Sequence, residues 1–174
     1  RHMFQRAFHE KALMVLAPLI LGDDWDVVGP ALVKQRNWPM ERNSRMLLGR
    51  APRRFGKSVA VSMTAAAMLL TVPYISQAIF STSQRVSIYL GEKIRQDITD
   101  AGHGDRIIKF GQERMDIRGP PGSPEDDIRT VFYYPANAKI CIWSIYFFHP
   151  SILSKFLYHS YAISTLSPLS HTHI

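Results

Sequence analysis

The segment Gly56-Lys57-Ser58 carries the residue types that hold a phosphate group at the start of a helix. A nucleoside triphosphate carries clustered negative charge, and proteins bind it by directing backbone N–H groups at it from a tight loop that opens into a helix. In the Walker A pattern a glycine lets the backbone approach, the lysine reaches the outer phosphates, and the following hydroxyl ligates Mg²⁺. The sequence therefore predicts that Lys57 contacts the phosphates of ATP and that Ser58 binds the metal ion.

The loop before Gly56 departs from the full pattern, because Ala51 stands where the first glycine is expected. Gly-Lys-Ser or Gly-Lys-Thr alone occurs by chance in roughly one chain in ten of this length, since glycine makes up about 7% of residues. The predicted phosphate loop comprises Ala51, Pro52, Arg53, Arg54, Phe55, Gly56, Lys57 and Ser58. The alternative is a helix start that contains these residues by chance, with its arginines exposed to solvent or in contact with DNA.

The segments on either side of the loop have the order that a phosphate loop requires. Residues 46–51 form a short apolar run that ends before a proline and predicts a buried strand. Residues 59–70 are apolar on nearly every side and predict a buried helix. Residues 75–80 predict a second strand, and the hydroxyls of residues 81–83 can cap a further helix that stops at Gly102. The predicted order is strand, loop, helix, strand, helix.

The composition favours a single globular domain that interacts with phosphates. The chain has 174 residues, 46% of them hydrophobic, and a net charge of +7. Cys141 is the only cysteine and the seven histidines show no zinc-ligand spacing, so we expect a reduced compartment and no structural metal. No signal peptide is recognisable, and an arginine at the N-terminus suggests a fragment.

Three segments are predicted along the chain. Residues 1–44 hold an apolar helix, punctuated by Gly22 and by Gly29-Pro30, and a basic loop that leads into the next segment. Residues 45–139 form a partial nucleotide-binding domain, in which three strands over 105–134 make an antiparallel meander. Residues 140–174 are an aberrant apolar and serine-rich tail. The predicted fold is α/β, with an incomplete parallel sheet like that of P-loop NTPases, flanking helices and the small meander.

The loop and its surroundings resemble the ATPase domain of the terminase large subunit, the viral DNA-packaging motor of herpesviruses, tailed phages and large DNA viruses. The resemblance covers roughly residues 45–139, and residues 52–58 are its most specific part. It implies ATP and Mg²⁺ as cofactors, and Arg53 as the catalytic arginine supplied in cis. It also implies double-stranded DNA, a capsid portal and a homo-oligomeric ring as partners, an intracellular location in the host nucleus or a viral replication site, and no membrane.

Two further features of the family have weaker counterparts in this chain. The family has an upstream glutamine that contacts the base, and Gln35 could stand there. It also needs a second motif, an apolar strand ending in two acidic residues that hold the metal and activate water. No acidic residue follows Asp127. The cluster at residues 125–127 lacks a preceding apolar strand, and Asp23, Asp24 and Asp26 are interpreted as turn and capping residues.

The missing acidic motif predicts a chain that binds ATP but hydrolyses it poorly or not at all, and that also lacks the nuclease domain. We expect residues 140–174 to be foreign to the fold, through a frameshift, an unspliced intron or a truncated gene, which would leave the sheet with an unpaired edge. A membrane anchor at 140–158 is the rival interpretation, although His149, Pro150 and Lys155 interrupt it.

Two other functions remain open from the sequence. The basic segment 34–57 could bind DNA or RNA phosphates without any nucleotide function. Alternatively, the loop could belong to another P-loop class such as a helicase, since the loop and first strands are shared broadly.

Overall fold

The computed structural model describes residues 3–39, 46–50, 56–135, 142–148 and 161–166 of the chain. The helices are α1 (Met3–Leu21), α2 (Trp25–Arg36), α3 (Lys57–Thr71) and α4 (Gln84–Asp100). The strands are β1 (Met46–Arg50), β2 (Ser76–Ser81), β3 (Ile107–Phe110), β4 (Arg114–Arg118), β5 (Ile128–Pro135), β6 (Ile142–Phe148) and β7 (Tyr161–Leu166). The protein is mixed α/β, and the predicted order of strand, helix, strand and helix from residue 46 to residue 100 is confirmed.

The strands form one mixed sheet in the order β1-β7-β6-β2-β5-β4-β3. β1 pairs in parallel with β7, and β2 pairs in parallel with β5, while β6 runs antiparallel to both β7 and β2. β1 and β2 therefore point in the same direction, with two strands between them. The prediction of a parallel sheet beside the meander is wrong for β6, which runs antiparallel to both of its neighbours.

β6 and β7 both come from residues 140–174, the segment that we expected to be foreign to the fold. Their backbones pair with β1 and β2, so these residues occupy the space between the two strands where we expected an unpaired edge. The origin of the segment stays a prediction. Cys141 and the interruption at residues 149–155 lie outside the described residues.

The N-terminal segment contains two helices rather than one helix and a loop. We expected Gly29 and Pro30 to lie in the loop after the first helix, but they lie inside α2. A side chain at position 29 would come within 2.8 Å of the Trp25 ring, so the glycine lets this ring fold back onto its own helix. Trp25 packs on Gly29 while the helix continues through both residues. Pro30 removes only one backbone hydrogen bond from this helix. The prediction of a loop from these two helix-breaking residues is therefore wrong.

Helices α1, α3 and α4 cover one face of the sheet. α4 packs on β2 and β5, α3 packs on α4, and α1 packs on α3 and β1. Alternate residues of β2, β4 and β5 point into this core because successive side chains of a strand face opposite ways. The largest buried apolar side chains of this core are Leu16, Leu69, Ile75, Ile79, Leu90, Ile94, Ile98, Met115 and Ile117.

The predicted antiparallel meander is confirmed as β3-β4-β5, and it belongs to the same sheet through the pairing of β5 with β2. A buried ion pair fixes its last strand. Arg129 donates to both carboxylate oxygens of Asp127 at 3.2 and 2.7 Å and to the carbonyl of Leu69, at the end of α3, at 2.8 Å. The amide of Tyr74 donates to Asp127 at 2.8 Å. These bonds join the meander to the connection between α3 and β2.

Candidate nucleotide site

Gly56 forms the turn from which α3 departs. It is the N-cap residue of the helix and adopts φ 73° and ψ 24°, in the left-handed region that favours glycine. Its carbonyl accepts the first helical hydrogen bond, from the amide of Ala60 at 2.9 Å. The local sequence explains this start, because glycine makes the turn and the Ala- and Met-rich segment after it is a strong helix former. β1 ends at Arg50, six residues before this turn.

Lys57 and Ser58 occupy the first turn of α3, and both are half-buried. The first backbone N–H groups of a helix have no partner within the helix, and together they give this end a partial positive charge. No acidic residue lies in the first turn of α3 to offset that charge. The end of α3 that carries the two residues is therefore electrostatically suited to an anion.

Helix α1 lies directly beside this turn. A side chain built on Gly56 would come within 2.5 Å of Nε2 of Gln5, so the amide of Gln5 sits against the glycine. One turn further along α1, Nδ1 of His9 lies 3.3 Å from Oγ1 of Thr64 on α3, which holds the two helices together. Phe8 and Ala12 of α1 are buried in the same core.

Sequence reasoning missed Gln5. The glutamine singled out as a possible base contact was Gln35, which the structure places as an exposed residue of α2. The signal that could have found Gln5 is the spacing of residues 5, 8, 9 and 12, which puts them on one face of a helix. That spacing predicts a buried face but not the partner against which it packs.

Five residues of the predicted phosphate loop lie outside the described residues, namely Ala51, Pro52, Arg53, Arg54 and Phe55. The assignment of Arg53 as a catalytic arginine therefore stays a prediction, as does the role of Ser58 as a metal ligand. The structure brings Gly56, Lys57 and Ser58 together at one helix end, with Gln5 as an added neighbour.

Three of the acidic residues lie where α1 is followed by α2. Asp23 and Asp24 form the turn between α1 and α2, and Asp26 lies in the first turn of α2, where Asp24 occupies the N-cap position without a side-chain capping bond. In the part of the chain that the structure describes, no group of three or more His, Cys, Asp or Glu residues could hold a metal ion.

Asp127 is committed to its ion pair with Arg129, with both side chains 2% or less exposed. Burial raises the pKa of Asp127, but hydrogen bonds from Arg129, the Tyr74 amide and Ser123 outweigh burial and hold the pKa below its ordinary value. The carboxylate is therefore ionised, and both of its oxygens accept hydrogen bonds. The last acidic residue of the sequence thus stabilises the junction of α3, β2 and β5.

A cleft of about 950 Å³ lies at the carboxyl end of β5. Its walls are the turn between β3 and β4, the end of β5 and Gln84 at the start of α4. β5 lies four strand positions from β1, which corresponds to about 19 Å at the usual strand spacing of roughly 4.8 Å. Gly56, Lys57 and Ser58, the described residues of the predicted phosphate loop, do not line this cleft.

No protein-family model matches this chain, and no curated protein matches it in sequence. Among the described helices, none is both long enough and apolar enough to cross a bilayer.

Proposed function

We propose that the chain is the nucleotide-binding front half of a terminase-like DNA-packaging ATPase with a P-loop fold. The observation that carries the proposal is the left-handed Gly56 at the start of α3, followed at once by Lys57 and Ser58 and preceded by a strand that runs parallel to β2. This arrangement brings a glycine turn, the N-terminal end of a helix, a lysine and a hydroxyl to one point, which are the elements a triphosphate and its Mg²⁺ require.

The proposed roles follow from position. Backbone N–H groups at the start of α3 and the ammonium group of Lys57 hold the phosphates, and the hydroxyl of Ser58 holds Mg²⁺. Arg53 is the proposed cis arginine. Mg²⁺, when bound with ATP, would offset the charge of the outer phosphates. The proposal includes weak hydrolysis, since no acidic residue follows Asp127 and Asp127 is buried against Arg129.

Titration of a fluorescent ATP analogue against the chain tests the proposal. We expect Lys57→Ala to weaken binding about 10- to 100-fold, because a charge-assisted hydrogen bond contributes about 1.5–3 kcal/mol. Lys34→Ala is the matched control, since Lys34 is an exposed lysine near the end of α2 within the basic segment. Equal affinity of wild type and Lys57→Ala would remove the P-loop assignment.

A second candidate function is non-specific binding of nucleic acid by the basic segment 34–57. The net charge of +7 and the exposed Lys34 favour it. Binding of this kind falls steeply with added salt and does not respond to ATP. Equal losses for Lys34→Ala and Lys57→Ala in the titration, together with that salt dependence, would favour this function over the first. A helicase of the P-loop class would instead show ATP-dependent strand separation.

A further inference from the structure

The cleft at the carboxyl end of β5 has the size and the position of a small-molecule site. Its volume of about 950 Å³ lies within the range of roughly 300–1,000 Å³ that ligand sites occupy. β5 runs parallel to β2, and α4 begins three residues after β2 ends. In α/β sheets, ligands bind outside the carboxyl ends of parallel strands, beside the helices that follow them. The cleft lies at this position in the sheet.

Hydrogen bonds between three elements fix the walls of the cleft. Nε2 of Gln84, at the start of α4, donates to the carbonyl oxygens of Gln112 at 2.8 Å and of Tyr133 at 3.0 Å. The amide of Tyr133 in turn donates to the carbonyl oxygen of Glu113 at 2.8 Å. The turn between β3 and β4 is therefore joined to both β5 and α4, so the shape of the cleft does not depend on a ligand.

Arg114, which lines the cleft, is held in place through one of its three nitrogens. Its Nε pairs with Asp116 at 3.1 Å, and Asp116 is itself buried and accepts a hydrogen bond from Thr130 at 3.1 Å. In the part of the chain that the structure describes, the two terminal nitrogens of Arg114 have no hydrogen-bond partner, and the side chain is 46% exposed. A guanidinium fork matches the oxygen atoms of a phosphate group. The ion pair thus orients Arg114 and leaves two nitrogens for such a group.

Lys109 places a second positive charge beside Arg114 in the lining of the cleft. It lies opposite Asp116 across β3 and β4, and Arg114 lies two residues before Asp116 on β4. Residues in this diagonal relation face the same side of a sheet and are about 7–8 Å apart. Lys109 is exposed, and no carboxylate of the described residues lies within 4.0 Å of it. A phosphate group between the two side chains can therefore bind both.

Glu113 is the one acidic side chain among the described residues that line the cleft. It is exposed, and no described lysine or arginine pairs with its carboxylate. A carboxylate repels a second phosphate group but accepts hydrogen bonds from hydroxyl groups. The lining therefore favours a ligand with one phosphate group and several hydroxyl groups over a polyphosphate such as ATP.

We propose that this cleft binds a small phosphate monoester that carries hydroxyl groups, such as a sugar phosphate. Lys109 and the terminal nitrogens of Arg114 donate to the phosphate oxygens, and Glu113 accepts hydrogen bonds from the hydroxyl groups. A free phosphate ion uses only the two cations, whereas a sugar phosphate also uses Glu113. The proposal does not depend on the proposed ATP site, because none of the described residues of the phosphate loop lines the cleft.

Isothermal titration calorimetry of the full chain with ribose 5-phosphate tests the proposal. We expect Lys109→Gln to weaken binding about 10- to 100-fold, because the variant loses one charge-assisted hydrogen bond to the phosphate group. Arg118→Gln is the matched control and should bind like wild type. Arg118 is an exposed cation on the same strand and face as Arg114, but it does not line the cleft. Thermal unfolding of every variant shows whether a loss of binding reflects a loss of fold.

Titration with inorganic phosphate as a second ligand tests the role of Glu113. Glu113→Ala removes the repulsion of both ligands, but it removes the hydroxyl acceptor for ribose 5-phosphate only. We therefore expect the ratio of the affinity for ribose 5-phosphate to that for inorganic phosphate to fall about 2- to 10-fold, the loss of one hydrogen bond. An unchanged ratio would refute the preference for a ligand with hydroxyl groups.

Three further results would overturn the proposal: no binding of ribose 5-phosphate to wild type, equal affinities of wild type and Lys109→Gln, or equal losses in Lys109→Gln and Arg118→Gln. The last would show a general attraction of anions to a basic surface. Loss of ribose 5-phosphate binding in Lys57→Ala would assign the ligand to the proposed ATP site and would also overturn the proposal. Retained binding in Lys57→Ala, together with loss in Lys109→Gln, would support the cleft as the site whether or not the chain binds ATP.

Discussion

Replacement of Gly56 by alanine tests the geometry on which the nucleotide site depends. A residue other than glycine at φ 73° costs about 1–2 kcal/mol, because the Cβ atom meets the neighbouring carbonyl oxygen. The new Cβ would also come within 2.5 Å of Nε2 of Gln5. Gln5 presents the end of a flexible side chain, so it can turn aside at a cost of about 0.5–1.5 kcal/mol for an unfavourable rotamer. We expect Gly56→Ala to destabilise the fold by about 1.5–3.5 kcal/mol in total.

A double-mutant cycle separates these two contributions. In the background of Gln5→Ala, the second contribution disappears, so Gly56→Ala should cost about 0.5–1.5 kcal/mol less than in wild type. Gly102→Ala is the matched control, because Gly102 also has a positive φ, of 83°, but nothing lies within 4 Å of its added Cβ. Its cost should be the same with and without Gln5.

Urea unfolding followed by circular dichroism measures each free energy, provided that the slope with urea stays constant. The ATP-analogue titration on the same variants should show weaker binding for Gly56→Ala and unchanged binding for Gly102→Ala. If Gly56→Ala cost less than about 0.5 kcal/mol, in the range of an ordinary surface substitution, the strained turn and the contact with Gln5 would both be refuted.

Two further predictions concern the framework around the sites. Asp127→Asn should destabilise the protein by about 3–5 kcal/mol, because Arg129 would keep a buried charge without a partner. The pKa of Asp127 is lowered in the folded state, so its contribution to stability is full above about pH 4 and is lost as the pH falls further. Urea unfolding between pH 7 and pH 3 should therefore show a decline in the free energy of unfolding of wild type that Asp127→Asn lacks. Gly91→Ala should destabilise the protein by about 1–3 kcal/mol through overpacking, because its Cβ would come within 2.4 Å of the Tyr133 ring. Gln96→Ala, on the exposed face of α4, should be neutral in the same urea-unfolding assay. If the free energies of unfolding of wild type and Asp127→Asn differed by the same amount at every pH, the ion pair of Asp127 with Arg129 would be contradicted. A neutral Gly91→Ala would contradict the close packing of Gly91 against Tyr133.

Features that depend on neighbouring residues could be predicted from the sequence. Helix α4 was predictable from apolar residues at helical spacing and from the residues at its two ends. The hydroxyl of Ser83 accepts a hydrogen bond from the amide of Val86 at 3.4 Å at its start, and Gly102 follows its end. The start of α3 after Gly56 follows from the same kind of local signal. The strands of the meander follow from apolar runs between glycine and proline clusters. Capping bonds and turn conformations are formed within a few residues, so their signals are local.

Features that join distant parts of the chain could not be predicted. The contact of Gln5 with Gly56 connects positions that are far apart in sequence, and the stacked rings of Phe80 and Tyr134 connect β2 with β5. Both depend on which elements become neighbours, and periodicity specifies only which side of each element is buried. The same holds for Gly29 and Pro30. Both residue types usually end a helix, but here α2 continues through them and the Trp25 ring packs on Gly29.

The sequence by itself determined the type and approximate bounds of the elements from residue 46 to residue 135, and the presence of a glycine, a lysine and a hydroxyl at one helix start. Only the tertiary structure decided that β6 and β7 lie between β1 and β2, that Asp127 is bound by Arg129, and that one face of the sheet carries aromatic and cationic side chains together. The physical reason is that strand order and side-chain neighbours arise from long-range pairing and burial. Those energies depend on the whole chain and leave no local pattern in the sequence.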